Sequence, residues 1–395
     1  MPMFNLVIKN ANIVLPDTVV SGKSVCITNG KIADITDKNI SCDNIIDANG
    51  GYLLAGFIDT HIHGGGGADF MDATITAFET AVKAHLQHGT TLLLPTAMTA
   101  SEEDLAAFLN TFKEFKKTSL YAELTPGVHL EGPYFSGANP KSAGAQKATL
   151  LRYPDLDEIN RLLKIADGDI LRWDAAPELP NSNKFANVMR DNGIICSMAH
   201  SFATAEEALI GIENGFNHAT HFYNALTTYH KRDQVVCGGV VEAAYLDDNV
   251  VVELISDGCH IPRSIMLLAL KIKGPEKVCA ITDGMRLSAT DIKSGKLGSL
   301  KNGTEVIVED GVAKLPDRSS FAGSICTMDR ALKVICEKYG IDITVATQML
   351  SLSPAKLLGL DKTKGSIEIK KDADLVITDK NLCVTNVVLG GKKVK

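Results

Sequence analysis

Several features that would narrow the function at once are missing from this 395-residue sequence. Basic residues are not in excess: 40 Lys and Arg stand against 47 Asp and Glu, a formal charge of −7. A nucleic-acid-binding face needs clustered positive charge, so no nucleic-acid partner is expected. No apolar run reaches the roughly 20 residues that span a bilayer. The opening MPMFNLVIKN lacks the basic-then-apolar order of a secretory leader. No membrane association is expected, and the cytoplasm is the expected compartment. The nine cysteines are scattered and contain no C-x-x-C pair, which fits reduced thiols acting as small apolar fillers. There is no low-complexity tract and no sequence repeat. The glycine run Gly64–Gly67 is not followed by G-K-[ST], and Ser21-Gly22-Lys23-Ser24 has Asp17 where a phosphate loop needs glycine. The glycine run is therefore expected to permit close backbone approach.

What is present falls into two styles. Hydrophobic residues make up 45% of the chain, ample for a large core. The first fifty residues are β-rich over Phe4–Val14, Ser24–Thr28 and Lys31–Asp37, with Asn29-Gly30 as a hairpin signal. The end repeats the style over Gly365–Lys370, Asp374–Thr378 and Thr385–Leu389. A small β-sandwich domain built from both termini, 1–53 plus 362–395, is expected. Between them, apolar β-branched segments alternate with helical segments that often end in glycine. Eight such strands, the first at Phe57–His61 and the last at Val278–Thr282, predict a (β/α)8 TIM-like barrel over 54–361. A hairpin about Glu309-Asp310-Gly311 interrupts the cadence.

Polar residues gather at the C-terminal strand ends, where barrel enzymes keep their sites. Strand one ends in Asp59-Thr60-His61-Ile62-His63, strand three in His129-Leu130-Glu131 and strand five in Ala199-His200. Strands six, seven and eight end in His221, His260 and Asp283. Alternation puts His61 and His63 on one face. So many titratable groups at one barrel mouth are costly to bury without a cation, so a metal site is expected. By the same alternation His218 should point away from the interior. His85 and His88 lie near a helix end, where solvation suffices; Glu178 should make a rim hydrogen bond. His129 shares the face of Glu131.

The segments GFIDTHIHGGGGADFMDAT, HLEGPYFS, KSAGAQ, AHSFAT, ATHFYNA, SDGCHIP, TDGM and FAGSICTMDRA resemble, in order, those of the N-acetylglucosamine-6-phosphate deacetylase family of the amidohydrolase superfamily. The resemblance implies hydrolysis of an N-acetyl amino sugar 6-phosphate by metal-activated water. It implies Glu131, His200 and His221 as metal ligands and Asp283 as acid/base. Ala145, Gln146, Asn224, Ala225, Arg232, His260, Phe321, Ala322 and Gly323 match substrate-contacting positions. Because His61 and His63 are kept, a second ion with Glu131 between the two is expected. The cofactor is a divalent metal ion, one or two per subunit, zinc or iron first and manganese or cobalt next. The partners implied are a phosphorylated amino sugar and a second copy in a homodimer. Arg232, beside His230 and Lys231, is the expected phosphate contact. Two stretches depart from the family's pattern: Met285-Arg286-Leu287-Ser288 and the basic segment before Arg232. The alternatives are N-acetylgalactosamine 6-phosphate as substrate, or a catalytically inactive scaffold. A cyclic-amide hydrolase usually needs a lysine at strand four, and RWDAAPE has none.

Overall fold

The computed structural model describes residues 4–137 and 143–395; Lys141 and Ser142 of the KSAGAQ segment lie outside the described residues. Eight parallel strands form the central sheet. We number them β1 Phe57–Ile62, β2 Thr90–Ala97, β3 Val128–Tyr134, β4 Ile170–Ala175, β5 Ile195–Met198, β6 His218–Ala219, β7 Val251–Ile255 and β8 Val278–Ile281. They lie side by side in chain order. A parallel bridge between Ile62 and Gly284 joins the two ends of the series, so the sheet curls into the expected barrel. Helices separate successive strands, for the reason the sequence supplies. At one, the Thr204 hydroxyl accepts from the Glu207 amide while the Glu207 carboxylate accepts from the Thr204 amide, which starts helix Ala205–Asn214. Ser101 caps Glu102–Thr118 through the Asp104 amide.

The chain divides into two compact units, residues 60–84 with 93–326, and residues 1–59, 85–92 and 327–395. The first carries the C-terminal ends of all eight strands. The second holds two further sheets. One is four-stranded, in the order Lys31–Thr36, Ser24–Thr28, Leu6–Lys9, Ile45–Asp47. The other has six strands and joins both termini, because Leu375–Thr378 pairs antiparallel with Tyr52–Ala55. Their shared core includes Ile8, Val25, Ile27, Leu53, Leu375 and Val388, each burial stabilising by about 1.5–3 kcal/mol. Helix Met328–Lys333 also belongs to this unit.

The structure corrects two strand boundaries. Phe4–Val14 is broken at Asn10, whose φ of 56° sends Leu6–Lys9 and Asn12–Val14 into different sheets. Residues 365–370 form bends and turns, not a strand, because both Gly365 and Lys370 are left-handed, at φ 85° and 78°. The hairpin at Asp310-Gly311 is present, joining Thr304–Glu309 to Val312–Lys314.

Candidate metal centre

Six titratable side chains from five strand ends meet at the barrel mouth, all buried. His61 lies on β1 and His63 just beyond it, with their Nε2 atoms 3.2 Å apart. Glu131 on β3 stands between two pairs of imidazoles. Its Oε1 is 2.9 Å from His200 Nε2 and 3.1 Å from His221 Nε2. Its Oε2 is 3.4 Å from His63 Nε2. Two three-residue groups able to hold a cation result, His61/His63/Glu131 and Glu131/His200/His221, sharing that carboxylate. Asp283 Oδ1 lies 3.3 Å from His63 Nε2 and 3.6 Å from His61 Nε2.

Local backbone geometry explains the convergence. His200, His221 and Asp283 sit just past their strands with φ of 44°, 27° and 49°. Each left-handed non-glycine residue costs of order 1–3 kcal/mol and persists only where its surroundings hold it. Here the Asp283 amide donates to the His61 carbonyl at 3.0 Å, and the His221 amide donates to Glu253 Oε1 at 3.0 Å. The same break corrects the expectation for His218. Strand alternation assumes an extended chain from His218 to His221, but β6 ends at Ala219. His218 therefore faces inward too, with Nδ1 2.7 Å from Ser197 Oγ. At Gly64 a Cβ would come within 2.2 Å of the Ala68 carbonyl oxygen, so the glycine run does serve close backbone approach.

Beneath the mouth lies a layer of charge that the sequence did not reveal. Arg172 on β4 reaches Asp174 at 3.0 Å and, through two nitrogens, Glu253 on β7. Glu253 Oε1 is also 2.7 Å from His61 Nδ1. His129 Nε2 is 2.9 Å from Asp174. One guanidinium thus faces two carboxylates, and the surplus negative charge is directed up at His61. Burial and then the positive field of Arg172 push His129 down to about 4 and His218 to about 3, so both are neutral near pH 7. The only hints in the sequence were charged residues inside otherwise apolar strands, Arg172 and Asp174 in ILRWDA and Glu253 in VVELI.

The donor set fits a divalent cation. A carbonyl cannot donate, so the 3.0 Å contact from His221 Nδ1 to the Asn224 carbonyl fixes the proton on Nδ1. Neutral His221 then turns the lone pair of Nε2 toward Glu131, and acceptor faces acceptor at 3.1 Å. His61 is set the same way by Glu253, and a second ligand group begins at its Nε2. Only a proton or a metal ion relieves this opposition. The demand for positive charge is visible in the metal-free shifts. Burial opposes protonation of His221 and His63, yet Glu131 and Asp283 raise both to about 9. Glu131, despite burial, is held well below the usual carboxylate range by His200 and His221. Asp283, also against burial, is lowered by His61 and His63.

A cavity of about 160 Å³ opens onto these groups and is lined by Ala145, Gln146, Asn224, Ala225, His260, Phe321 and Gly323. Gln146 spans the site's edge, donating to Glu131 Oε2 at 2.8 Å and accepting from the Thr99 amide. His260 is oriented by Asp257, 2.8 Å from its Nδ1. Two residues expected to contact substrate stand apart from that lining. Ala322 is fully buried. Arg232 lies on a short hairpin strand, where its guanidinium donates twice to Glu207 and once to the Phe202 carbonyl. Glu178 makes the rim bonds expected of it, to Ser201 Oγ and the Phe202 amide. His85, expected at a solvated helix end, is fully buried, because it shares the inward stripe of its helix with Ala81 and Val82. His88 pairs with Asp329 at 2.9 Å.

The family model of the amidohydrolases matches residues 52–394. The chain is 33% identical over 393 residues to an N-acetylglucosamine-6-phosphate deacetylase of Bacillus subtilis, covering 98% of this chain and 96% of that one. A deacetylase structure of the same name from Pasteurella multocida superposes with a TM-score of 0.90 at 29% identity, covering 98% and 99% of the two chains. A mutant deacetylase from Mycobacterium smegmatis, in complex with N-acetyl-D-glucosamine-6-phosphate, gives a TM-score of 0.89 at 27% identity with full coverage of both chains.

Proposed function

The chain belongs to the amidohydrolase family, and from that premise we propose that it removes the acetyl group from N-acetyl-D-glucosamine 6-phosphate, giving glucosamine 6-phosphate and acetate. The observation that carries this reading is the pair of His/carboxylate groups joined through Glu131, with Asp283 within 3.6 Å of both strand-one imidazoles. The substrate follows from the 33%-identical relative and from the sugar phosphate bound in the mycobacterial structure. We assign Glu131, His200 and His221 to one cation and His61, His63 and Glu131 to a second, with zinc or iron first among the candidates and manganese or cobalt next.

An acetamide is a poor electrophile and water a poor nucleophile. A divalent cation bound here supplies Lewis-acid polarisation of the carbonyl and acidifies water. The remaining task is proton transfer. Asp283, ionised and at hydrogen-bonding distance from the ligand layer, accepts the proton of the attacking water and returns it to the departing sugar amine. Glu131 is committed to the cations, which leaves Asp283 as the mobile proton carrier among the carboxylates lining the cavity. His260, with Nδ1 held by Asp257, presents Nε2 to the substrate as a fixed donor or acceptor. Asn224, Ala225 and Arg232 take the phosphate end; for Arg232 this means exchanging the Glu207 carboxylate for the phosphate. We assign the protein to the cytoplasm as a homodimer; light scattering checks the dimer.

The test is acetate release from N-acetylglucosamine 6-phosphate, N-acetylgalactosamine 6-phosphate and their unphosphorylated forms, on protein of known metal content. Fast release from the glucose epimer's phosphate is expected. Equal rates with and without phosphate would overturn the substrate. Release from none of the four would overturn the activity. Arg232→Ala should raise KM for the phosphorylated sugar and leave the unphosphorylated one unchanged.

A further inference from the structure

We propose that Met98 and Leu297 set the length of the acyl group that this site accepts, an inference that rests on the deacetylase reading. Both side chains line the 160 Å³ cavity that holds the metal-ligating groups. Both also line a second cavity of about 30 Å³, bounded further by Met71, Thr99 and Leu150. They are therefore the partition between the two spaces. A void needs about 10–15 Å³ to take a water molecule, so the space behind the partition has room for a small group.

The partition stands at the acyl end because of how it connects to Glu131. The Thr99 amide, next in the chain to Met98, is bound by Gln146, whose amide group donates to Glu131 Oε2. That oxygen faces His63. The other oxygen, Oε1, leads through His221 to the Asn224 carbonyl, on the side assigned to the sugar phosphate. A carbonyl carbon seated between the two ligand groups has its nitrogen and sugar on the Asn224 side. Its methyl group is then directed at Met98 and Leu297.

The wall is braced. A Cβ at Gly298 would lie 2.8 Å from the Met98 sulfur, so the thioether rests on that glycine. The Gly298 amide donates to Asp69 at 3.0 Å, and its carbonyl accepts from Arg286 at 2.9 Å. Arg286 is in turn bidentate on Asp72, at 2.8 Å in both contacts. Leu297 thus adjoins a turn clamped on both backbone edges, which holds its backbone in place. The same contacts explain why a charged residue follows Asp283 in this sequence.

The experiment compares kcat/KM for the N-acetyl, N-propionyl and N-butyryl derivatives of glucosamine 6-phosphate, on wild type, Met98→Ala and Leu297→Ala, all metal-loaded. Each added methylene should cost wild type roughly 10-fold or more. Either alanine variant joins the two cavities and should shrink the acetyl-to-butyryl ratio by about 10-fold. Should circular dichroism show Met98→Ala unfolded, Met98→Val and Leu297→Ala decide the matter. Wild type that hydrolyses the butyryl derivative as well as the acetyl one, or folded variants that keep the wild-type ratio, would overturn the wall. No acetate from wild type at full metal loading would bring down the deacetylase reading and this inference with it. Normal acetate release with an unaltered ratio would remove only the wall.

Discussion

Two layers of ionisable groups lie one above the other in the barrel, built from the same residue types and left in opposite states. In the lower layer, Arg172 meets Asp174 and Glu253, and the hydroxyl of Thr220 is also engaged by Asp174. Its histidines are neutral. In the upper layer, nitrogen and oxygen acceptors are turned on one another around Glu131 with no lysine or arginine among them. The lower layer is closed within the protein and acts as scaffold. The upper one is complete only with a cation. Buried charge alone therefore does not mark a functional site; buried acceptors turned on one another do.

The comparison predicts that variants of the upper layer lose activity and variants of the lower layer lose the fold. The largest effect is expected at Asp283. Asp283→Asn should lower kcat by roughly 10²- to 10⁴-fold, the range that general acid–base groups contribute. Metal content and melting temperature should stay near wild type. Retained turnover in that variant would take the proton-carrying role from Asp283. Next comes Glu253→Ala, which leaves His61 without its carboxylate and Arg172 with Asp174 alone. Breaking one partner of a buried pair costs about 3–5 kcal/mol, which denaturant unfolding measures directly. A loss below 1 kcal/mol would show that the lower layer is not the scaffold described.

The histidines of the two layers also shift in opposite directions, and the stability of metal-free protein should follow both. His129 and His218, at about 4 and 3, fall below their ordinary 6.5. The unfolded chain then binds protons that the folded one refuses, so stability present above pH 6.5 is lost as pH falls toward 4. His63 and His221, at about 9, lie above it. Their contribution is full below pH 6.5 and is lost as pH rises through 9. A bound cation replaces those protons, so metal loading should abolish the alkaline loss and leave the acid one. It should also release protons, seen as a buffer-dependent heat in titration calorimetry. Loading with no proton release near pH 7 would contradict the shifts.

The upper layer was legible in the sequence and the lower was not, for one reason. Groups that end strands stand out against the apolar segments before them, as His61, Glu131, His200, His221 and Asp283 do. Arg172, with Asp174, and Glu253 lie inside such segments, and nothing local shows that β4 and β7 bring them together across the barrel. The cadence of apolar segments gave the number of strands, because burial on both faces of a parallel sheet demands it. Alternation within a strand, sound for His61 and His63, failed at His218 once the chain turned left-handed before His221. Arg232 was legible as a cation in a basic segment, but its engagement by Glu207 depends on a helix 25 residues earlier in the chain.

The smallest of the expected effects tests where the two layers' logic meets a neutral side chain. Gln146 matches a substrate-contacting position, yet its amide nitrogen donates to Glu131 Oε2 and its oxygen is taken by the Thr99 amide. Both polar ends are occupied by protein, which is the condition of the lower layer. On that ground Gln146 orients the shared carboxylate rather than the sugar. Gln146→Met keeps the volume and removes both bonds. Outer partners of a metal ligand are typically worth 10- to 100-fold in affinity, so the metal dissociation constant should rise by about that factor. At saturating metal, KM for the sugar phosphate should remain near wild type. A KM that rises several-fold with metal affinity unchanged would reverse the assignment and return Gln146 to the substrate.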